Sequence, residues 1–248
     1  MQLNTSIEDP PTMPKLSRLR PPRTSEVFLL EGVDPDSFVE SKVSGITYGI
    51  KKGGKLFRAN SGRKFNSFLL CPICGKYFPE RPKQPGHDKP WGPRCNGKPK
   101  KLDLAHEIVT DILQLRFQGC TPQPPNLVEG RPFWRSLFAA VLNGATDHLG
   151  IAPGDIDGTY HGWSTESYIG EIVVYDRIPG GAGHIERIVN NIDDVLYSAY
   201  RRVKDCSCSD IDSSCYACLR SYSNQFYWDE LTRRPVIEWL SNVLGIKE

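Results

Sequence analysis

The sequence predicts an α+β protein, β-rich in its first half and mixed α/β in its second. Three observations predict it. Strand-like runs punctuated by glycine begin at Val27, seven prolines lie between Cys71 and Lys101, and sustained helical spacing of apolar residues begins only at Phe133. A length of 248 residues suits one large domain or two small ones. With 39% hydrophobic and 24% charged residues, the balance is that of a folded globular chain.

The elements follow in order. Residues 1–26 carry five prolines and little apolar content, and read as a flexible tail or a strap for a partner. Residues 27–125 form a β-rich region, in which Ile46–Lys52 and Leu56–Asn60 flank Gly53-Gly54 as a hairpin. Phe65–Leu70 is a strand leading into the first cysteine pair, and the prolines after it exclude regular structure, so order there must come from metal. Leu102–Phe117 is apolar and open between strand and helix, and Pro122, Pro124 and Pro125 mark a boundary.

Residues 126–248 form the α/β domain. Phe133, Leu137, Phe138, Val141, Leu142, Ala145 and Leu149 keep helical spacing, with Pro132 suited to the first turn. Tyr168–Tyr175 reads as a buried strand, followed by Pro179-Gly-Gly-Ala-Gly183 and a helix whose apolar face runs from Ile185 to Val203. A last helix spans Leu231–Leu244.

The cysteines carry the strongest chemical signal. Six of eight fall in close pairs: Cys71/Cys74, Cys206/Cys208 and Cys215/Cys218. Zinc is held tetrahedrally by thiolates and imidazoles, and a Cys-x-x-Cys turn supplies two ligands at once. Cys206, Cys208, Cys215 and Cys218 pack four thiols into thirteen residues, which points to a closed structural site. A redox Cys-x-x-Cys would leave Cys206 and Cys208 without a role. In the first site Cys71 and Cys74 precede Gly75, Cys95 is the natural third ligand, and His87 is the choice for the fourth. Cys120 competes for that place, and an exposed loop histidine is the plain alternative for His87. Two zinc ions are therefore expected, both structural.

The net charge of +2 hides an asymmetry. Lys51–Lys101 holds fourteen Lys/Arg against two acids, a surplus of +12, and the remainder carries −10. That split suggests a polyanion on one side and a protein partner on the other, against the alternative of a solvated loop. Lys51, Lys52, Arg58, Arg63, Lys64, Lys98, Lys100 and Lys101 are the candidate nucleic-acid contacts. No run approaches the roughly 18 apolar residues of a membrane span. Met1–Leu16 is polar and broken by Pro10, Pro11 and Pro14, so no signal peptide is expected and the cytoplasm is the default location.

Other motifs fit simpler explanations. Gly92–Lys98 imitates a nucleotide phosphate loop, but Pro99 has no hydroxyl for magnesium and Cys95 is better employed on zinc. Gly180–Gly183 suits a tight turn, with a nucleic-acid phosphate as the alternative. Asp157 and Glu171 could begin a nuclease metal site, but Glu171 is followed by Ile172-Val173-Val174 rather than by a lysine. Tyr216, Tyr222, Phe226, Tyr227 and Trp228 with Arg220, Arg233 and Arg234 could stack on bases, or glue the cysteine cluster to the last helix.

From Val174 onward, VVYDRIPGGAGHIERI, CSC, SSCYACLRSYSNQF and ELTRRPVIEWL resemble the MrfA-type zinc-binding domain. That domain ends certain superfamily 2 DNA helicases and occurs in the DrmB component of the DISARM phage-defence system. Upstream, RANSGRKFNSFLLCPICG and FWRSLFAAVLNGATDHLGI are similar too, so the resemblance covers about residues 45–244. It implies that Cys206, Cys208, Cys215 and Cys218 are the zinc ligands, and that a helicase motor is supplied by a separate chain. The resulting expectation is a non-enzymatic accessory subunit that binds DNA and couples to a helicase in phage defence. The rivals are a metal-dependent nuclease using Asp157, Glu171 or Asp176, and an assembly scaffold without nucleic-acid contact.

Overall fold

A computed structural model describes residues 26–43, 45–60, 67–118, 129–164 and 169–246. The strands are β1 (Glu26–Glu31), β2 (Val39–Glu40), β3 (Ile46–Asn60), β4 (Phe68–Leu70), β5 (His87–Lys89), β6 (Gly92–Cys95), β7 (Lys100–Leu102), β8 (Leu104–Gln118), β9 (Ile156–Ser164) and β10 (Ile169–Asp176). The helices are α1 (Arg131–Leu149), α2 (His184–Asn190), α3 (Ile192–Lys204) and α4 (Arg234–Val243). The chain is α+β, as the sequence predicts. It divides into two compact units, and passes between them within β1, β3 and β8.

The described part of the first unit is Glu26–Phe28 with Leu56–Ile108. Two antiparallel ribbons, β4–β7 and β5–β6, dominate it. Its small core holds Cys71, Phe78 and Cys95, with Leu69 and Cys74 against them. A cluster this small contributes little apolar burial, which a cross-link would supplement.

The second unit holds Leu29–Lys55 and everything from Val109 onward. The large sheet runs β1-β3-β8-β10-β9, with β2 on β3. Strand β10 pairs antiparallel with β8, Ile172 opposite Leu115 and Val174 opposite Leu113. Alternation puts Leu113, Leu115, Phe117, Ile172 and Val174 on one face, where they join Trp134, Leu137, Leu196 and Trp239 in one buried cluster. Trp134 sits edge-to-face with Phe117 at 5.5 Å, an arrangement the ring quadrupoles favour.

Several expected elements differ from those observed. Gly53-Gly54 does not turn a hairpin: β3 is one strand of 15 residues. Gly53 has φ +62, its N–H donates to Asp111 Oδ1 at 3.0 Å, and a Cβ on Gly54 would lie 2.5 Å from Ile112 Cδ1. The glycines thus serve a local irregularity and a close strand approach. The Leu102–Phe117 run is strand throughout most of its length: Leu102 ends β7 and Leu104 begins β8. The proline-rich stretch does form regular structure, because β5, β6 and β7 are too short to need more ladder bonds than prolines allow. The expected helix over Ile185–Val203 is two, broken at Asn191, whose side chain donates back to the Arg187 carbonyl at 2.8 Å. That local bond competes with the helix, while the apolar periodicity continues across the break. The last helix starts at Arg234, with Pro235 in its first turn, and Tyr222–Glu230 before it is 3-10. Residues 1–25, Arg63, Lys64, Phe65, Asn66, Cys120, Pro122, Pro124, Pro125 and Tyr168 lie outside the described residues.

Candidate metal centres

In the first unit, Cys71, Cys74, His87 and Cys95 bring one ligand atom each to within 4.8 Å of the others. The Cys-x-x-Cys turn is built by the backbone: Gly75 N–H donates to the Cys71 carbonyl at 2.8 Å and Cys71 N–H to the Lys76 carbonyl at 2.9 Å. Gly75 needs φ +71 to close it, a conformation glycine adopts without penalty. The other two ligands come from one hairpin, in which His87 and Cys95 are directly paired across β5 and β6. His87 Nε2 lies 3.2 Å from Cys74 Sγ, and Cys71 Sγ 3.8 Å from Cys95 Sγ. Phe78 meets the His87 ring edge-on at 4.9 Å and fixes its plane.

Burial opposes ionisation of Cys71, but hydrogen bonds from the backbone of Cys74 and Ile73 and from the Cys74 and Cys95 side chains together lower the thiol below its ordinary value. Burial pushes Cys74 up. Gly97 is a site residue that the sequence reading missed. Its N–H donates to Cys95 Sγ at 3.4 Å, and a Cβ there would stand 2.4 Å from Cys71 Sγ. The Cys95-x-Gly97 spacing was the available signal.

In the second unit, the Sγ atoms of Cys206, Cys208, Cys215 and Cys218 likewise lie within 4.8 Å of one another. Cys206 Sγ lies 3.6 Å from Cys208 Sγ and 3.5 Å from Cys215 Sγ. Cys215 N–H donates to Cys218 Sγ at 3.0 Å. Burial opposes ionisation of Cys215, yet hydrogen bonds from Cys206 and from the Ala217 and Cys218 backbone bring it down to about 7. Burial pushes Cys218 up to about 12. Both Asn143 of α1 and Arg202 of α3 donate to the Cys218 carbonyl, at 2.8 and 3.1 Å. Arg233, only 4% exposed, donates to the carbonyls of Val203, Cys206, Cys208 and Asp210. A divalent ion with four thiolates carries a net −2, which this buried guanidinium partly offsets.

Both donor sets suit zinc: four soft or borderline ligands, three or four of them sulfur, at tetrahedral-capable spacing. Bound there, zinc would cross-link the loops, and with four protein ligands each sphere is closed.

The three nuclease candidates are not brought together. Glu171 is fully buried and directly opposite Arg116, whose Nε donates to it at 2.8 Å, while Gln114 Nε2 donates at 2.9 Å. Arg116 in turn stacks on Phe38 at 3.6 Å. Asp157 accepts from Tyr175 Oη, and Asp176 accepts from Ala182 N–H. Tyr175 and Asp176 are sequence neighbours in one strand, so Asp176 points to the opposite face from Asp157. Ala182 N–H on Asp176 also ties Gly180–Gly183 into a tight turn.

Of the candidate nucleic-acid contacts, Lys51 and Lys52 belong to the second unit, where Lys52 pairs with Glu186 at 3.1 Å. Arg58, Lys98, Lys100 and Lys101 belong to the first, the three lysines exposed. In the aromatic group Tyr216 packs edge-on against Trp228 at 5.2 Å and Tyr227 is buried under Arg135, while Tyr222 and Phe226 stay exposed. Among the described residues no helix is long and apolar enough to cross a membrane.

Residues 137–219, from α1 to the end of the four-cysteine loop, coincide with a family model. They match the MrfA Zn-binding domain. The MrfA Zn-binding match covers all four cysteines of the second cluster and both helices that donate to the Cys218 carbonyl. The matched region is thus similar to a domain named for zinc binding. The chain is 27% identical over 230 residues to Druantia protein DruE of Escherichia coli (strain UMEA 4076-1), covering 82% of this chain and 12% of DruE. A solved structure of the DUF1998 helicase MrfA bound to DNA shares the fold, with TM-score 0.50 and 13% identity over 88% of this chain and 24% of that one. The chain thus spans about an eighth of DruE and about a quarter of the MrfA chain.

Proposed function

We propose that this chain is a non-enzymatic, zinc-held accessory module that binds DNA and couples to a superfamily 2 helicase supplied in trans. Its setting is the bacterial cytoplasm, in phage defence. The observation that carries the reading is the pair of closed four-donor clusters. Such sites organise a scaffold and keep no open position for a substrate. The fold shared with MrfA, a helicase solved bound to DNA, supports the association with helicase and DNA. The resemblance to the DISARM component supports the defence setting, beside the similarity to the Druantia protein. For DNA, the support is charge: Cys71–Lys101 holds eight Lys/Arg and two acids.

The test has two arms. DNA affinity should fall with log salt at a slope of about −0.7 per neutralised phosphate on single strands, and Lys98→Glu/Lys100→Glu/Lys101→Glu should weaken binding on all sequences alike. The chain should hydrolyse no nucleoside triphosphate itself, but raise unwinding by a co-purifying helicase. Salt-independent binding untouched by charge reversal overturns the DNA reading. Intact helicase association without DNA affinity identifies a scaffold instead.

A further inference from the structure

Trp91 is 87% exposed, the most exposed large apolar side chain among the described residues. Scattered apolar groups on a surface are ordinary, but a nearly naked indole forfeits the large burial this side chain normally contributes. Its position is also specific. Pro90 and Trp91 form the two-residue loop of the β5–β6 hairpin, with Lys89 opposite Gly92, Asp88 opposite Arg94 and His87 opposite Cys95. The base of this hairpin is therefore closed by two ligands of the first metal cluster. Pro90 and Pro93 have restricted φ on either side of the tip. Arg94 is tied down as well, its Nη2 donating to the Pro85 carbonyl at 3.1 Å. A ribbon with His87 and Cys95 paired at its base thus holds one indole out into solvent on a unit with a strong positive surplus.

We propose that Trp91 is a stacking contact for an unpaired base of single-stranded DNA, carried by the first metal unit. The inference rests on the DNA-binding reading above and adds to it the strand state recognised. An aromatic face accepts any base, and flanking cations track the backbone, which is the recurrent design of single-strand binders. In a duplex the base faces are already stacked, so an indole on a hairpin tip has no comparable partner. A protein partner for so exposed an indole would be expected on a surface of mixed charge. Here the surrounding segment has four basic residues for each acid, which favours a polyanion.

The experiment uses the full zinc-loaded chain, labelled oligothymidylate and the corresponding duplex. Trp91→Ala should weaken single-strand binding about tenfold, leave the salt slope unchanged and leave duplex affinity where it was. Trp91→Phe should recover much of the loss. Because Trp91 buries almost nothing, both variants should keep their zinc content, which is measured alongside. Single-strand affinity equal to wild type in Trp91→Ala, with the triple lysine reversal still weakening binding, overturns the stacking role and leaves the DNA reading standing. If neither variant nor salt alters binding, the DNA reading falls too. If Trp91→Ala spares DNA but abolishes helicase association, the tip is a protein contact and the inference is wrong.

Discussion

The guanidinium of Arg233 donates to the backbone carbonyls of Cys206, at 3.0 Å, and Cys208, at 2.8 Å. One side chain preceding α4 thereby holds the stretch of backbone that carries half of the second cysteine cluster. Groups of this kind orient ligands, and their loss commonly costs about 10–100-fold in metal affinity. Arg233→Met should keep the volume, lose the bonds and release zinc from the second cluster correspondingly faster to a chelator. Arg233→Lys should rescue little, since an ammonium lacks the planar fork that reaches four carbonyls. Equal zinc retention in the methionine variant would refute this role.

Each cluster should hold its own ion. Protein purified without chelator is expected to contain two zinc ions per chain by elemental analysis. Cys218→Ser should lower that to one and destabilise the second unit, because zinc binding of this kind is itself folding free energy. His87→Cys should retain both ions, whereas His87→Ala should lose the first.

Gly97→Ala should remove only the first ion. A Cβ at 2.4 Å from Cys71 Sγ and 3.3 Å from Cys95 Sγ leaves no room beside the thiolates. Zinc content near one, with an unchanged second cluster, is the expected reading.

Zinc uptake at the second cluster should release protons and tighten as pH rises from neutral. Cys218, pushed up to about 12 by burial, is a thiol before the metal binds and a thiolate afterwards. Cys208, raised by burial, behaves likewise, while Cys215 at about 7 is already partly ionised. Protonation therefore competes with the ion, and acid releases it. Proton release measured by calorimetry in two buffers of different ionisation enthalpy checks the sign.

Glu171→Ala should act on stability and not on any cleavage of DNA. It strands Arg116, which is only 14% exposed, opposite an uncharged position in the sheet. Breaking a buried pair in this way costs about 3–5 kcal/mol. Denaturant unfolding at neutral pH measures it.

The sequence by itself determined whatever depends on short covalent spacing. Cys71 with Cys74, and Cys215 with Cys218, can reach one ion because a single tight turn presents both sulfurs. The helical period of Phe133–Leu149 and the apolar run of Tyr168–Tyr175 likewise mark α1 and β10 locally. Tertiary structure alone decided the rest. His87 stands beside Cys74 because the β5–β6 register pairs it with Cys95, and no local pattern encodes that register. Gly53-Gly54 looks like a turn until its neighbours in the sheet make it part of a strand. Arg116 and Glu171 meet across 55 residues, and Arg233 reaches Cys206 across 27, through packing that brings distant backbone together. Local geometry is written in bond lengths and dihedral preferences. Long-range partnership is settled only when strands choose their register and helices their faces, because the same side chain satisfies many environments until one of them is built around it.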